Sequence, residues 1–289
     1  MRRKRRWVRL VSWLLVGLLV YAVGCWMLAL SYISPMRRHP VRPAGASEVS
    51  ISGSPPFPAW CTPGLAAGGS KRKVLFVLVH GYGGDRGSWS EMLVELDRRG
   101  YEAVAPAMPA HDANPDPTCG FGVKEAETVI HAASWAQARF AKPPKTVLVG
   151  ISMGGAACWL AVERARADAI VSEGSFAVLD DAVRRWFDLL LPGGHVILAP
   201  VRWLAKVRSG VDPSTVRPVD GAARWRGRPA LVIQGDRDRL MEMSQAKTLS
   251  EAAGCPLWVV PGAEHAQCQN LAPAEYVRRL SELADALAH

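Results

Sequence analysis

The sequence predicts an α/β fold: a mostly parallel central sheet with helices on both faces, a small helical lid insertion, and one N-terminal transmembrane helix. Three observations carry this. From Val74 onward, apolar runs of strand length alternate with helical periods, the pattern of βαβ units. The first such run, Val74 to Val79, has no polar position at all, as a strand covered by helices on both faces requires. From Leu10 to Ile33 there is no charged residue. At a rise of ~1.5 Å per residue that stretch reaches ~36 Å, enough to cross a hydrocarbon core of about 30 Å.

Taken in order, residues 1–34 form a basic N-terminus and a membrane anchor. Nine of the 35 Lys and Arg residues precede the first acidic residue, leaving 26 against 26 Asp and Glu in the remainder. The net charge of +9 therefore belongs to the N-terminus, and no basic stripe interleaved with aromatics is left to bind nucleic acid. The cluster Arg2 to Arg9 outweighs Arg37, Arg38 and Arg42, which puts the N-terminus in the cytoplasm and the bulk of the chain outside. A cleaved secretory signal is the alternative, but the apolar run is long for one and no Ala-x-Ala site ends it. Ala22-Val23-Gly24-Cys25 is similar to a lipoprotein cleavage box, although the apolar stretch continues past it.

Residues 35–48 read as a linker, and 49–289 as one catalytic-sized domain. Val49–Ile51 and Phe57–Thr62, among prolines, suit short strands at a sheet margin. Strands are then expected at Val74–Val79, Glu102–Ala105, Thr146–Val149, Ala169–Ser172, Ala230–Gln234 and Leu257–Val260. Helices are expected at Ser88–Arg99, Gly122–Ala141, Met153–Arg166, Met243–Ala253 and from Pro273 onward. Residues 176–227 interrupt the alternation with two helical patterns, Val178–Leu191 and Val196–Val207, read as an insertion over one edge of the sheet. The six cysteines show no Cys-x-x-Cys spacing, so neither a zinc site nor a thioredoxin-like pair is indicated.

The chemistry concentrates in three places. Gly150-Ile151-Ser152-Met153-Gly154-Gly155 stands between an apolar strand and an apolar helix, the context that makes a Gly-x-Ser-x-Gly string a nucleophile elbow. Glycines are needed there because the serine occupies a strained turn, and the helix start that follows offers free N–H groups to a developing oxyanion. His80-Gly81-Tyr82-Gly83-Gly84 follows the first long strand and is glycine-rich enough to bring a main-chain N–H against a substrate carbonyl. Downstream, Asp236 and Asp238 follow one strand and His265 follows the next.

With these motifs the chain resembles the α/β-hydrolases, and among them the bacterial esterase-like members related to prolyl oligopeptidases and the BEM46-type hydrolases. The resemblance runs from about Val49 to the C-terminus. It implies Ser152 as nucleophile, His265 as base, and an oxyanion hole from the N–H groups of Tyr82 and Met153. The order Ser, acid, His admits His265 and His289 as base, and His289 ends a helix with no reason to reach the site. The family pattern Gly-x-x-Asp from Gly235 selects Asp238 as the acid, with Asp236 and Glu173 as alternatives. His80 is expected to support its loop. One departure is the stretch Pro106 to Cys119, which lacks the usual Asp-x-Arg-Gly-His-Gly-x-Ser and leaves loop packing as the expected role of His111 and Asp112.

The expected activity is carboxylic ester or thioester hydrolysis through an acyl-serine, on a small-molecule or lipid-like ester. Peptidase or acyltransferase action would use the same residues, and a catalytically silent binding module is the alternative of another class. No metal or organic cofactor is implied. The apolar bulk of the insertion suggests that Trp186 and Trp203 wall an acyl pocket.

Overall fold

A computed structural model describes residues 2–288, with the side chains of the first three residues and of His289 outside the description. Helix α1 (Arg2–Ile33) is continuous over the uncharged run and ends where Pro35 follows. Among the described residues eight strands form one sheet: β1 (Ser47–Ile51), β2 (Phe57–Cys61), β3 (Val74–Val79), β4 (Glu102–Pro106), β5 (Lys145–Ile151), β6 (Ala169–Glu173), β7 (Ala230–Gly235) and β8 (Leu257–Val260). Their spatial order is β1-β2-β4-β3-β5-β6-β7-β8. The hairpin β1–β2 joins antiparallel at the margin, and β4 to β8 run parallel with β3 among them.

The helices are α2 (Pro63–Ala67), α3 (Ser90–Arg98), α4 (Val123–Gln137), α5 (Met153–Ala161), α6 (Leu179–Leu190), α7 (Gly194–Ile197), α8 (Ala199–Ser209), α9 (Pro218–Arg224), α10 (Met243–Ala253), α11 (Cys268–Leu271) and α12 (Pro273–Ala288). Alternate side chains of the central strands feed two separate cores. Leu75, Val77 and Val79 pack with α4, α5 and α10 on one face, while Phe76 and Leu78 pack with α3 and α12 on the other. At about 25 cal/mol per Å² of apolar surface, these two layers are the main force holding the strand ends in register.

Four elements depart from expectation, the first being the helix expected to run from Met153 to about Arg166, which ends at Ala161 and passes into a turn where the Arg166 N–H donates to the Glu163 carbonyl at 3.1 Å. The helix expected from Ser88 opens as a tight 3₁₀ turn at Arg86–Trp89, because the Asp85 carboxylate accepts the Gly87 N–H at 2.7 Å and starts the turn early. The helix expected to run to Ala141 stops at Gln137, since the Ser70 main chain pairs with Arg139 and Ala141 and draws that segment out. Within 176–227, α9 lies on the sheet side rather than over it. Gly221 sits so close to Trp159 that a Cβ there would lie 2.2 Å from its carbonyl oxygen, and Trp225 is fully buried. The insertion that stands apart from the sheet is thus α6 to α8.

Candidate active site

The C-terminal ends of β3, β5, β6 and β7 and the segment after β8 converge on Ser152. That residue joins β5 to α5 at φ +55° and ψ −120°, a conformation L-residues rarely adopt. Gly150 and Gly154 make the turn possible. A Cβ on Gly150 would lie 2.4 Å from Gly154 main-chain atoms, and one on Gly154 would lie 2.3 Å from the Val79 carbonyl oxygen. The turn is pinned by the Ser152 N–H, which donates to the Glu173 carbonyl at 2.7 Å.

Ser152 Oγ lies 2.9 Å from His265 Nε2, and His265 Nδ1 lies 2.8 Å from Asp238 Oδ2. The Asp238 side chain is buried and saturated. Its Oδ1 accepts the N–H groups of Leu240 and Met241 at 2.9 and 2.8 Å, and its Oδ2 also accepts from Gln234 Nε2 at 3.2 Å. Gln234 in turn donates to the Met241 carbonyl at 2.8 Å, so it locks the loop carrying Asp238 onto β7. Asp236 points elsewhere, accepting the Gly262 N–H at 2.6 Å and closing the turn after β8. Glu173 is also away from the imidazole nitrogens: its Oε1 accepts the Cys268 N–H at 2.9 Å, which ties β6 to the segment carrying His265. Burial pushes its carboxyl above the usual range. His289 lies outside the described residues.

The loop after β3 rests on the elbow, with Gly81 so near that a Cβ would be 3.2 Å from the Ser152 Cβ. Two buried histidines hold it. His80 Nδ1 donates to the Gly81 carbonyl at 2.9 Å while Nε2 accepts the Met108 N–H at 3.2 Å. His111 Nδ1 donates to the Pro109 carbonyl at 2.7 Å while Nε2 accepts the Gly83 N–H at 2.9 Å. Both rings must be neutral to accept, and burial lowers each pKa from 6.5 to about 4. Beside them Asp112 takes the Arg86 guanidinium at 2.6 and 3.1 Å, and Arg86 also covers the Trp60 ring. Burial acts to raise the Asp112 carboxyl, yet Arg86 outweighs it and the net shift is downward. The unusual 106–119 stretch therefore braces the loop that carries Tyr82 through long-range bonds no local pattern announces.

Met153 starts α5, where first-turn N–H groups have no partner within the helix. Tyr82 shares the lining of the cavity over Ser152, and Met153 follows Ser152 directly in the chain. A cavity of about 460 Å³ opens over Ser152, lined by Gly81, Tyr82, Ser88, Glu91, His265 and Asn270 among others. Neither tryptophan reaches it. Trp203 stands 62% exposed on the outer face of α8. Trp186 lies behind Tyr82, edge to face at 5.3 Å, and lines a separate tight apolar cleft with Tyr32, Phe121 and Val201. The helices that carry both pack along α1 instead of closing over the serine. The cavity walls come from residues whose spacing carries no signal, such as Ser88, Gln269 and Asn270. Among the described residues no group of three or more His, Cys, Asp or Glu is arranged to hold a metal ion.

This sheet order, with a serine on the strand-to-helix turn after β5, defines the hydrolase class of α/β proteins. The profile of the Alpha/beta hydrolase family matches residues 76–279, and the chain belongs to that family. Among solved structures it is similar to an esterase from Pyrococcus furiosus, at 18% identity and a TM-score of 0.67, over 87% of this chain and 98% of that one. A bacterial membrane phospholipase A matches at 19% identity and a TM-score of 0.62, over 99% of both chains. An esterase from Thermogutta terrifontis, solved with butyrate bound, matches at 17% identity and a TM-score of 0.63, over 84% of this chain and 95% of that one. No curated protein matches the sequence.

Proposed function

We propose that the protein is a membrane-anchored serine hydrolase of carboxylic esters, acting through an acyl-Ser152 intermediate. The observation that carries this is the hydrogen-bonded chain from Ser152 Oγ to His265 to Asp238, at 2.9 and 2.8 Å. Neutral His265, held by Asp238 with its proton on Nδ1, takes the Oγ proton on Nε2 as Oγ attacks the ester carbonyl carbon. The tetrahedral oxyanion sits against the Tyr82 and Met153 N–H groups. Its collapse breaks the carbon–oxygen bond, and the alcohol leaves with the proton from Nε2. Water then repeats the sequence on the acyl-serine, releasing the acid and free Ser152.

A lipid-like ester is favoured as substrate by α1 and by the polar rim of the cavity, where Ser88, Ser90, Glu91, Gln269 and Asn270 suit a hydrophilic alcohol. The likeness to a membrane phospholipase A extends over 99% of both chains and so includes α1. Retention of α1 is supported by its packing: Cys25, Ala29 and Ile33 are buried, the first two against Phe187 and Val201, and removing them would strip the inner face of the lid. A buried Cys25 side chain also speaks against lipidation there. The domain then lies outside the cytoplasm, by the charge asymmetry around α1.

The test is labelling of the full-length protein by a fluorophosphonate, with hydrolysis of p-nitrophenyl butyrate and of a phospholipid in the same preparation. Wild type labels and turns over; Ser152→Ala does neither. Activity of Ser152→Ala above roughly 1% of wild type removes Ser152 from the role.

A further inference from the structure

Helix α1 is not free along its length. Cys25, Leu28, Ala29, Tyr32 and Ile33 fall on one stripe, and Cys25, Leu28, Ala29 and Tyr32 pack against α6 and α8. Further toward the N-terminus the Tyr21 hydroxyl donates to the Ile197 carbonyl in α7. The lid therefore climbs α1 from Ile33 to Tyr21, a rise of about 18 Å. Among the described residues of the uncharged run, Leu10 to Val20, about 15 Å, are exposed with no such contact, against a hydrocarbon core of about 30 Å. With Arg5, Arg6 and Arg9 holding the other end at a charged interface, the hydrocarbon extends to about Leu30, and it takes in the helix turns on which α7 and α8 are packed.

The lid segment at that depth has the composition this requires. From Leu189 to Val207, nineteen residues contain three ionisable groups, each paired with a carboxylate: His195 with Asp188, Arg202 with Asp180 and Lys206 with Asp212. Leu189, Leu190, Leu191, Val196 and Ile197 are exposed there, and Trp203 and Val207 follow on α8. Among the described residues beyond α1 and the segment that follows it, eleven large apolar side chains are exposed, and seven of them belong to this one stretch. Scattered exposed apolar residues need no explanation, whereas a contiguous set beside a membrane helix marks an interaction surface.

We propose that the segment 189–207 is immersed in the outer leaflet, so that the domain rests on the bilayer through its lid as well as through α1. The occupant of the apolar face is lipid hydrocarbon, argued from its continuity with the lipid-facing side of α1 and from the length shortfall of the free helix. This rests on the reading of α1 as a retained bilayer-spanning anchor, and it does not depend on the chemistry at Ser152. Its consequence is that the lid meets the substrate phase directly.

The experiment places nitroxide labels on the full-length protein in vesicles of phosphatidylcholine and phosphatidylglycerol, at Leu190→Cys and Val196→Cys. Leu14→Cys in α1 and Val123→Cys on α4 serve as references, with the unsubstituted protein as the labelling background. Collision with dissolved oxygen and with a water-soluble nickel chelate gives depth. Expected is that labels at 190 and 196 match the one at 14, rich in oxygen collisions and shielded from nickel, while 123 is fully open to nickel. Labels at 190 and 196 as open to nickel as 123, with 14 shielded, overturn this proposal alone. A label at 14 open to nickel overturns the anchor reading with it. Shielding at 190 and 196 from both collision partners, with spin–spin broadening, would show a second copy as the occupant and also overturn it.

Discussion

The Tyr82 hydroxyl donates to the main-chain carbonyl of Tyr32 at 3.0 Å, so the last turn of α1 holds the loop that faces Ser152. The same turn is fixed a second time, by the Cys119 N–H donating to the Ile33 carbonyl at 2.7 Å, on the stretch whose His111 holds Gly83. A membrane anchor has no need of such contacts, but a proposed oxyanion donor needs a rigid support.

Tyr82→Phe keeps the ring, which stacks on Phe121 and meets Trp186 and His111, and removes only this tie. A hydrogen bond of this kind is worth about 1 kcal/mol, so kcat on a soluble ester is expected to fall roughly 3–10-fold with KM within about twofold. Steady-state kinetics of the purified full-length protein decide it; an unchanged kcat would reduce the hydroxyl to a packing role.

Asp238→Asn and Asp236→Asn should differ sharply. The first deletes the acceptor for His265 Nδ1–H, and loss of about 10³-fold or more in kcat is expected because the imidazole tautomer is no longer fixed. The second weakens one turn bond to the Gly262 N–H, with kcat expected within about fivefold of wild type. The reverse ranking would move the acid to Asp236.

The parallel sheet was legible because a buried strand excludes polar residues, and a run such as Val74–Val79 cannot hide. The elbow was legible because its glycines stand between an apolar strand and an apolar helix, whereas Asp238 over Asp236 and His265 over His289 were expected from the family's pattern and residue order, and those are the two side chains found bonded to each other at 2.8 Å. What escaped depends on distance through space. Gln234 beneath Asp238, His111 against Gly83 and Glu173 under Cys268 are joined by single bonds between segments far apart in sequence. The tryptophans escaped for another reason: periodicity reports which side chains are apolar, and a face turned to a cavity, a helix or a bilayer carries the same residues.

Acid should loosen the fold in a defined window. His80 and His111 are buried and neutral, their pKa values lowered to about 4 by burial, whereas the unfolded chain protonates near 6.5. The unfolded state binds more protons between these values, so the stabilisation is complete above about pH 6.5 and is lost as pH falls toward 4. Each histidine contributes at most on the order of 3 kcal/mol. Thermal melts of the detergent-solubilised protein at pH 7 and 4.5 should show the drop, and His111→Asn should lower the melt at pH 7 and shrink the difference. A melt equally stable at both pH values would mean that these rings are not held neutral.

Trp186 and Trp203 lie on neighbouring helices of the same lid, and the structure gives them different tasks. Trp203 touches neither the Ser152 cavity nor Tyr82 and stands exposed beside Val207. Trp186 packs edge to face on both Tyr32 and Tyr82, at 5.0 and 5.3 Å, and so buttresses the loop from behind. Removing such a ring costs about 3–5 kcal/mol of packing when fully buried and less here, but it frees Tyr82 to shift. With p-nitrophenyl esters from acetate to decanoate in detergent, Trp203→Ala is expected to keep kcat/KM within about twofold at every chain length. Trp186→Ala is expected to lower it several-fold at all of them, short and long alike, because it disturbs the oxyanion loop rather than an acyl wall. A loss confined to the long chains would instead put Trp186 in contact with the acyl group, and a loss of that form at Trp203 would require the lid to close over Ser152 during turnover.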